Sequence, residues 1–300
     1  MRRSRSRSPA NETETESAPR LQRSGGQRDP PTIALCSQPL PNSLLAAWRT
    51  QLALHNGAEP VWVPSTSLHP GSLVADTLAW IKAGTTAPGL CDEIAGVELW
   101  AQRRPVTSSM HLHFDCDEER GRLQHELHCP VLSCILYVNS TGGPTLVLEH
   151  KPGDVWRSTV RCHACWPHAG QILVFGGDLL HGTVGERSCA ELTKSPPVER
   201  VTIILNLWRR PPLGVAAVRE PEAPAPNCNV CCKDDSACAM PDVDQKRTGE
   251  AHVGEHEAWS WRKLIVGMYN RTTTISLCMP PLAVRSRCET FTARVRDAPS

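Results

Sequence analysis

Met110-His-Leu-His-Phe-Asp-Cys-Asp117 alternates polar and less polar side chains residue by residue, the period of a strand with one polar face. In such a strand His113 and Asp115 stand two apart on the same face, about 7 Å from each other along the backbone. His111 and Asp117 continue that face. Of the four, only the pair flanking Phe114 spells His-x-Asp, two donors close enough to share one ion. The spacing alone is a weak signal, so its meaning depends on the chain around it.

On both sides the texture is that of short strands. Val97 to Gln102, Met110 to Asp115, Val131 to Val138, Thr145 to Glu149, Gln171 to Phe175 and Val201 to Trp208 are apolar or alternating. Their separators include Thr141-Gly-Gly-Pro144, Lys151-Pro-Gly-Asp154 and Gly176-Gly-Asp178. Many short strands punctuated by Gly and Pro predict a mainly β chain, a jelly-roll or cupin-like barrel rather than a parallel α/β sheet. Upstream, Leu44, Leu45, Trp48, Leu52 and His55 recur at helical spacing behind the capping candidate Asn42, and the run stops at Gly57. Leu73, Val74, Thr77, Leu78 and Ile81 do the same between Ser72 and Gly84. Two flanking helices therefore precede the β region.

Leu179-Leu-His-Gly-Thr183 follows the apolar run Gln171 to Phe175 and a Gly-Gly-Asp turn, which puts His181 on a later strand of the same barrel. Two imidazoles and one carboxylate cap one face of an octahedral ion and leave three adjacent positions open, the arrangement of non-haem iron(II) oxygenases. Structural zinc sites instead close four positions with Cys and His. Arg200 opens the last apolar segment, Arg-Val-Thr-Ile-Ile-Leu-Asn-Leu-Trp208, where a guanidinium can pair bidentately with a carboxylate. Asn206 and Trp208 share its face by alternation.

Residues 96 to 210 carry, in order, His113-Phe-Asp115, Ser133-Cys-Ile-Leu-Tyr-Val-Asn139, Gly142-Gly-Pro-Thr-Leu-Val-Leu148, Gln171 to His181, and Arg200. In these pieces the chain resembles the Fe(II)/2-oxoglutarate-dependent dioxygenase superfamily, with elements similar to its prolyl-hydroxylase-like branch. The resemblance implies a double-stranded β-helix and a catalytic iron(II) held by His113, Asp115 and His181. It also implies that Arg200 holds the distal carboxylate of 2-oxoglutarate, with Tyr137 on the same carboxylate. Oxygen would be the second cosubstrate and ascorbate an auxiliary reductant. The implied reaction hydroxylates a substrate and releases succinate and carbon dioxide.

The stretch from His181 to Arg200 is longer than is common in that family, so residues 184 to 199 are expected to be a surface loop. Under another register Arg209 or Arg210 is the anchor. With three Phe and two Tyr, stacking on a nucleobase would rest on the nine Trp, so a protein side chain or a small molecule is the expected substrate. A different class of reading stays open beside this one: a non-catalytic cupin-like module that binds metal as a sensor or interaction platform, which has no need of a buried arginine facing the metal.

Residues 1–31 are Arg, Ser, Glu, Gly and Pro with almost nothing apolar, a composition that cannot offset the entropy of ordering. A disordered tail is expected there. Nucleic acid is a partner for its Arg-Ser run only and is not indicated by the core. The globular unit is expected over 32–211. Residues 212–300 read as a largely disordered tail with a Cys-rich patch at Cys228 to Cys238 and a short helix over 257–269. That patch holds one Cys-x-x-Cys, so zinc binding with Cys162-His-Ala-Cys165 stands against reduced surface thiols. The sequence shows neither a signal-peptide core nor eighteen consecutive apolar residues, so a cytoplasmic or nuclear protein without membrane association is expected. Its fourteen cysteines would then be reduced, and the sequons at Asn139 and Asn270 chance matches.

Overall fold

The computed structural model describes residues 33–54, 59–85, 94–185, 198–218, 260–268, 271–279 and 288–297. The Arg-Ser tail, residues 186–197 of the expected loop and the patch at 228–238 lie outside them. Helices α1 (Asn42–Leu54) and α2 (Leu73–Gly84) come early in the chain. Ser72 caps α2, its hydroxyl accepting from the Ala75 amide, a partner that the first helical turn otherwise lacks. Trp48 of α1 donates its indole N–H to Thr77 of α2 at 2.9 Å, tying the pair together. No helix among the described residues is long and apolar enough to cross a membrane.

The helices lie against a seven-stranded sheet containing β1 (Ile33–Leu35), β2 (Val61–Pro64), β3 (Gly96–Pro105), β5 (Leu132–Tyr137), β8 (Ile172–Gly176), β10 (Glu199–Trp208) and β11 (Ala216–Ala217), in the order β1-β8-β5-β10-β3-β2-β11. Alternation assigns its faces. Leu132, Cys134 and Leu136 of β5, with Ile203, Leu205 and Leu207 of β10, pack with Leu45, Trp48, Val74 and Ile81 of the helices. Ile135, Tyr137, Leu173, Phe175 and Ile204 face the other way. A strand buried on both sides reads as a continuous apolar run, as β5 and β10 do.

The second sheet contains β4 (Met110–His113), β6 (Thr145–Leu148), β7 (Thr159–Cys165) and β9 (Leu180–Thr183). From β3 to β10 the strands pass between the two sheets as a double-stranded β-helix, mainly β with N-terminal flanking helices. Three further strands, β12 (Ser260–Met268), β13 (Arg271–Met279) and β14 (Cys288–Asp297), continue this sheet and close it as a barrel, β12-β13-β14-β7-β6-β9-β4. The closing pairs are β14 with β7, antiparallel, and β12 with β4, parallel at Leu112–His113. Ile275, Leu277 and Ala293 join Leu112, Leu146, Leu148, Cys162 and Leu180 in the barrel interior.

The expected helix over 257–269 is thus corrected to strand β12, and 212–300 is not uniformly a tail. The apolar residues of β12, Trp261 and Leu264 to Met268, are too few to declare their type by periodicity; here a nine-pair ladder with β13 and the edge of β4 determine it. Asn42, expected as a cap, is instead the first residue of α1.

Candidate metal centre

Strand β4 carries His113 and β9 carries His181, and the two residues are register partners across the antiparallel pair. Their approach depends on the residue beside His181. A Cβ at Gly182 would meet the Met110 and His111 carbonyl oxygens at 2.8 and 2.9 Å, closer than real Cβ contacts, so only glycine lets β9 come this near. The ring centroids of His113 and His181 lie 4.4 Å apart.

Asp115 does not extend the strand as the sequence pattern predicts. β4 ends at His113, with a register irregularity between Met110 and His113. The Asp115 carboxylate lies beside both rings: Oδ1 is 3.6 Å from His113 Nε2 and Oδ2 is 3.5 Å from His181 Nε2. One ligand atom from each residue lies within 4.8 Å of the others. The expected shared face of four polar residues does not form. His111 is exposed, and Asp117 is buried as the cap of α3 (Glu118–Gln124), accepting from the Arg120 amide and from the Leu213 amide. His113, Asp115 and His181 are brought together; His111 and Asp117 are not.

The surroundings orient each donor. His113 Nδ1 is 2.9 Å from the His111 carbonyl oxygen and His181 Nδ1 is 3.0 Å from that of Leu179. Each ring therefore carries its proton on Nδ1 and turns the Nε2 lone pair inward, where a metal needs it. Ser133 of β5 donates to Asp115 Oδ2 at 2.8 Å. Burial pushes His181 down to about 4 against the pull of Asp115, so it is neutral near pH 7. Burial opposes charge on His113 too, but the hydrogen bond and charge of Asp115 outweigh it and raise this group. Burial alone would raise Asp115; the two histidines and Ser133 outweigh it and hold the carboxyl well below the usual range.

Ser133 has no signature that sequence reading could use. Its hydroxyl is fully buried and makes its bond to Asp115. Replacing Ser133 with alanine is expected to weaken divalent metal binding by about tenfold, within the 10–100-fold range for groups that orient ligands. Isothermal titration with manganese(II) checks this; unchanged affinity would show that Asp115 is held well enough without it.

A cleft opens on the three residues and is also lined by Arg200, Thr202, Thr183, Gln102 and Trp100. Arg200 is 5 % exposed. Its Nη2 donates to Thr145 Oγ1 at 2.7 Å, and its guanidinium carbon lies 5.4 Å from the centroid of the Tyr137 ring. Gly142, at φ +95°, makes room: a Cβ there would lie 2.8 Å from the Cβ and Cδ of Arg200. Arg200 Nε and Thr202 Oγ1 are buried without a partner in the protein. Two such groups on one cleft are a receptive surface for an acceptor, because leaving them unpaired costs about 1–3 kcal/mol each.

Tyr137 stands behind this arginine. It is fully buried, and its hydroxyl lies 3.0 Å from Thr145 Oγ1 and 3.3 Å from the Cys165 carbonyl oxygen. Burial raises this phenol, which stays protonated. The alternative anchors do not reach the cleft: Arg209 and Arg210 are exposed at the far end of β10, where Arg210 pairs with Glu126. Cys162 and Cys165 sit buried on β7, Cys162 toward the barrel interior.

No protein-family model matches the sequence, and no curated protein matches it. Solved structures do. A Pseudomonas putida prolyl-4-hydroxylase is 17 % identical over 60 % of this chain and 88 % of its own, with a TM-score of 0.37. HygX from Streptomyces hygroscopicus, solved with nickel and 2-oxoglutarate bound, is 12 % identical over 63 % and 92 %, TM-score 0.37. An oxidoreductase of the 2OG-Fe(II) oxygenase family from Burkholderia pseudomallei is 15 % identical over 42 % of this chain and 48 % of its own, TM-score 0.26. EctD from S. alaskensis is a further neighbour, 14 % identical over 64 % and 81 %, TM-score 0.35. At these identities nothing about substrate passes from them to this chain.

At the other end of β10, Trp208 Nε1 donates to Glu98 Oε2 at 3.0 Å. Burial, with Asp115 and Asp117 adding to it, outweighs that bond and pushes Glu98 up to about 7. A carboxyl raised on folding binds its proton more tightly in the native state, so stability falls as pH rises from about 4.5 to about 7 and is flat beyond. The loss is on the order of 3 kcal/mol. Glu98→Gln is expected to abolish this slope and to melt higher than wild type at pH 8. Thermal melts from pH 5 to 8 check it; parallel curves for the two proteins would contradict it.

Proposed function

We propose that this chain is an Fe(II)- and 2-oxoglutarate-dependent dioxygenase, an oxidoreductase that hydroxylates a protein side chain or small molecule and releases succinate and carbon dioxide. One observation carries the reading: a His-Asp-His cluster with inward-facing Nε2 atoms and a buried, incompletely paired arginine line the same cleft. A metal-binding module without turnover has no reason to bury a cation there.

The donor set fits iron(II), since two imidazoles and a carboxylate leave three positions for other ligands. Held this way, iron(II) would supply oxygen activation coupled to decarboxylation of 2-oxoglutarate, with ascorbate available to restore its reduced state. The protein's own share is binding and orientation. His113, Asp115 and His181 would hold the ion, and Ser133 and the carbonyl groups of His111 and Leu179 keep their geometry. Arg200 would hold the distal carboxylate of 2-oxoglutarate with Thr202 beside it. Thr145 and Tyr137 position that guanidinium from behind. Arg200 reaches Thr145, which is paired with Thr183, two residues or about 7 Å along β9 from His181. A short dicarboxylate can therefore reach from the arginine to the metal cluster.

The experiment is a succinate assay. Full-length protein with iron(II), 2-oxoglutarate and ascorbate in air is expected to convert 2-oxoglutarate to succinate slowly without an added substrate. The Asp115→Ala protein is not. Tight metal binding with no succinate above the metal-only background would favour the non-catalytic module instead.

A further inference from the structure

We propose that Cys116 and Cys129 are a disulfide-forming pair that staples the segment carrying Asp115 to the start of β5. Their sulfurs are 3.1 Å apart, about 1 Å beyond a disulfide bond length of about 2.05 Å, so bonding asks for only a small shift. Both residues are partly exposed, which admits a small oxidant. The two backbones are already joined beside the sulfurs, the Asp117 amide donating to the His128 carbonyl oxygen at 2.8 Å.

Position gives the pair its consequence. Cys116 follows Asp115 directly, and Cys129 stands three residues before Leu132, where β5 begins. Asp115 already depends on β5 through Ser133. A covalent bond would reinforce that link and enclose α3, whose surface is mostly polar and which buries no residue of its own. Such a segment opens readily, because few apolar contacts hold it. Closing the loop restricts the opened states more than the closed one.

The oxidant class is a low-molecular-weight disulfide such as oxidised glutathione. One cysteine sulfur attacks the glutathione disulfide, expelling one glutathione thiol and leaving a mixed disulfide. The other cysteine displaces the second glutathione. One S–S bond breaks and one forms; two electrons pass to glutathione, and the two cysteine protons end on its thiols. This inference does not require that the neighbouring site turn over 2-oxoglutarate.

The test uses the metal-free full-length chain equilibrated with stepped ratios of oxidised to reduced glutathione, then alkylated, digested and mapped by mass spectrometry. A peptide linked through Cys116 and Cys129 is expected to accumulate with the ratio and to vanish with dithiothreitol. Amide exchange across 117–125 is expected to slow about tenfold or more in the linked protein. Cys129→Ser and, separately, Cys116→Ser should show neither effect. No such peptide at the most oxidising ratio, linkage confined to Cys165 and Cys288, whose sulfurs are 2.7 Å apart, or linkage with unchanged exchange would each overturn the proposal.

Discussion

Replacing Asp115 with alanine is expected to lower divalent metal affinity by more than about hundredfold, the upper end of what is lost when only an orienting group is removed. Asp115 is the single anion of the cluster and lies beside both histidines. It is also the acceptor of the Ser133 hydroxyl, which has no exposure to solvent. Alanine would therefore cost about 1–3 kcal/mol of fold stability as well, through an unsatisfied buried donor. Asp115→Asn separates the two effects: an amide oxygen still accepts from Ser133, but the charge is gone. The asparagine protein should melt near wild type and still lose metal. Manganese(II) titration together with a thermal melt reads both, and retained affinity in either variant would remove Asp115 from the ligand set.

Arg200→Ala is expected to raise the Kd for 2-oxoglutarate by more than about hundredfold, equivalent to roughly 3 kcal/mol for a lost charge-assisted pair in a buried site. Metal binding should change little, because Arg200 contacts Thr145 and Tyr137 and none of the three ligands. Lysine should rescue poorly, since a point charge lacks the planar fork and the stacking surface that Arg200 presents to a carboxylate and to the Tyr137 ring. Competition between 2-oxoglutarate and succinate in the metal-loaded protein measures the loss. Equal weakening of metal and 2-oxoglutarate would mean that the variant has disturbed the barrel rather than one contact.

The β-helix was legible where strands are buried on both faces or alternate cleanly, as in β5, β8 and β10. β7 was harder: its inward residues are Val160, Cys162 and Ala164, small side chains that make a faint pattern, and its Cys-x-x-Cys spacing drew attention as a metal motif. α3 is charged on most sides, so periodicity is silent and only its capping residue, Asp117, could have announced it. The C-terminal strands depend on partners far away in sequence, β4 and β7, which no local pattern reveals.

At the site, the order of His113, Asp115, His181 and Arg200 along the chain was readable, while the means of assembly were not. Alternation would have put Asp115 on a continuing strand beside His111 and Asp117. The structure instead ends the strand at His113, sets Asp115 beside both rings and uses Asp117 as a helix cap. The resemblance implies a place for Tyr137 on the carboxylate that Arg200 would hold; its hydroxyl lies 3.0 Å from Thr145 Oγ1 and 3.3 Å from the Cys165 carbonyl oxygen. Gly142 and Gly182 matter for what they lack, and only the packed backbone shows what a Cβ would strike.

The central claim is that three ligands and one arginine serve a single cleft, and an anaerobic titration tests it directly. Iron(II)-loaded protein is mixed with increasing 2-oxoglutarate while the visible absorption of the iron–2-oxoglutarate chelate is followed. A band that grows and saturates, is absent in Asp115→Asn, and needs far more 2-oxoglutarate in Arg200→Ala is the expected result. Iron held as tightly by Asp115→Asn as by wild type, or a wild-type protein that binds iron and never develops the band, would contradict it.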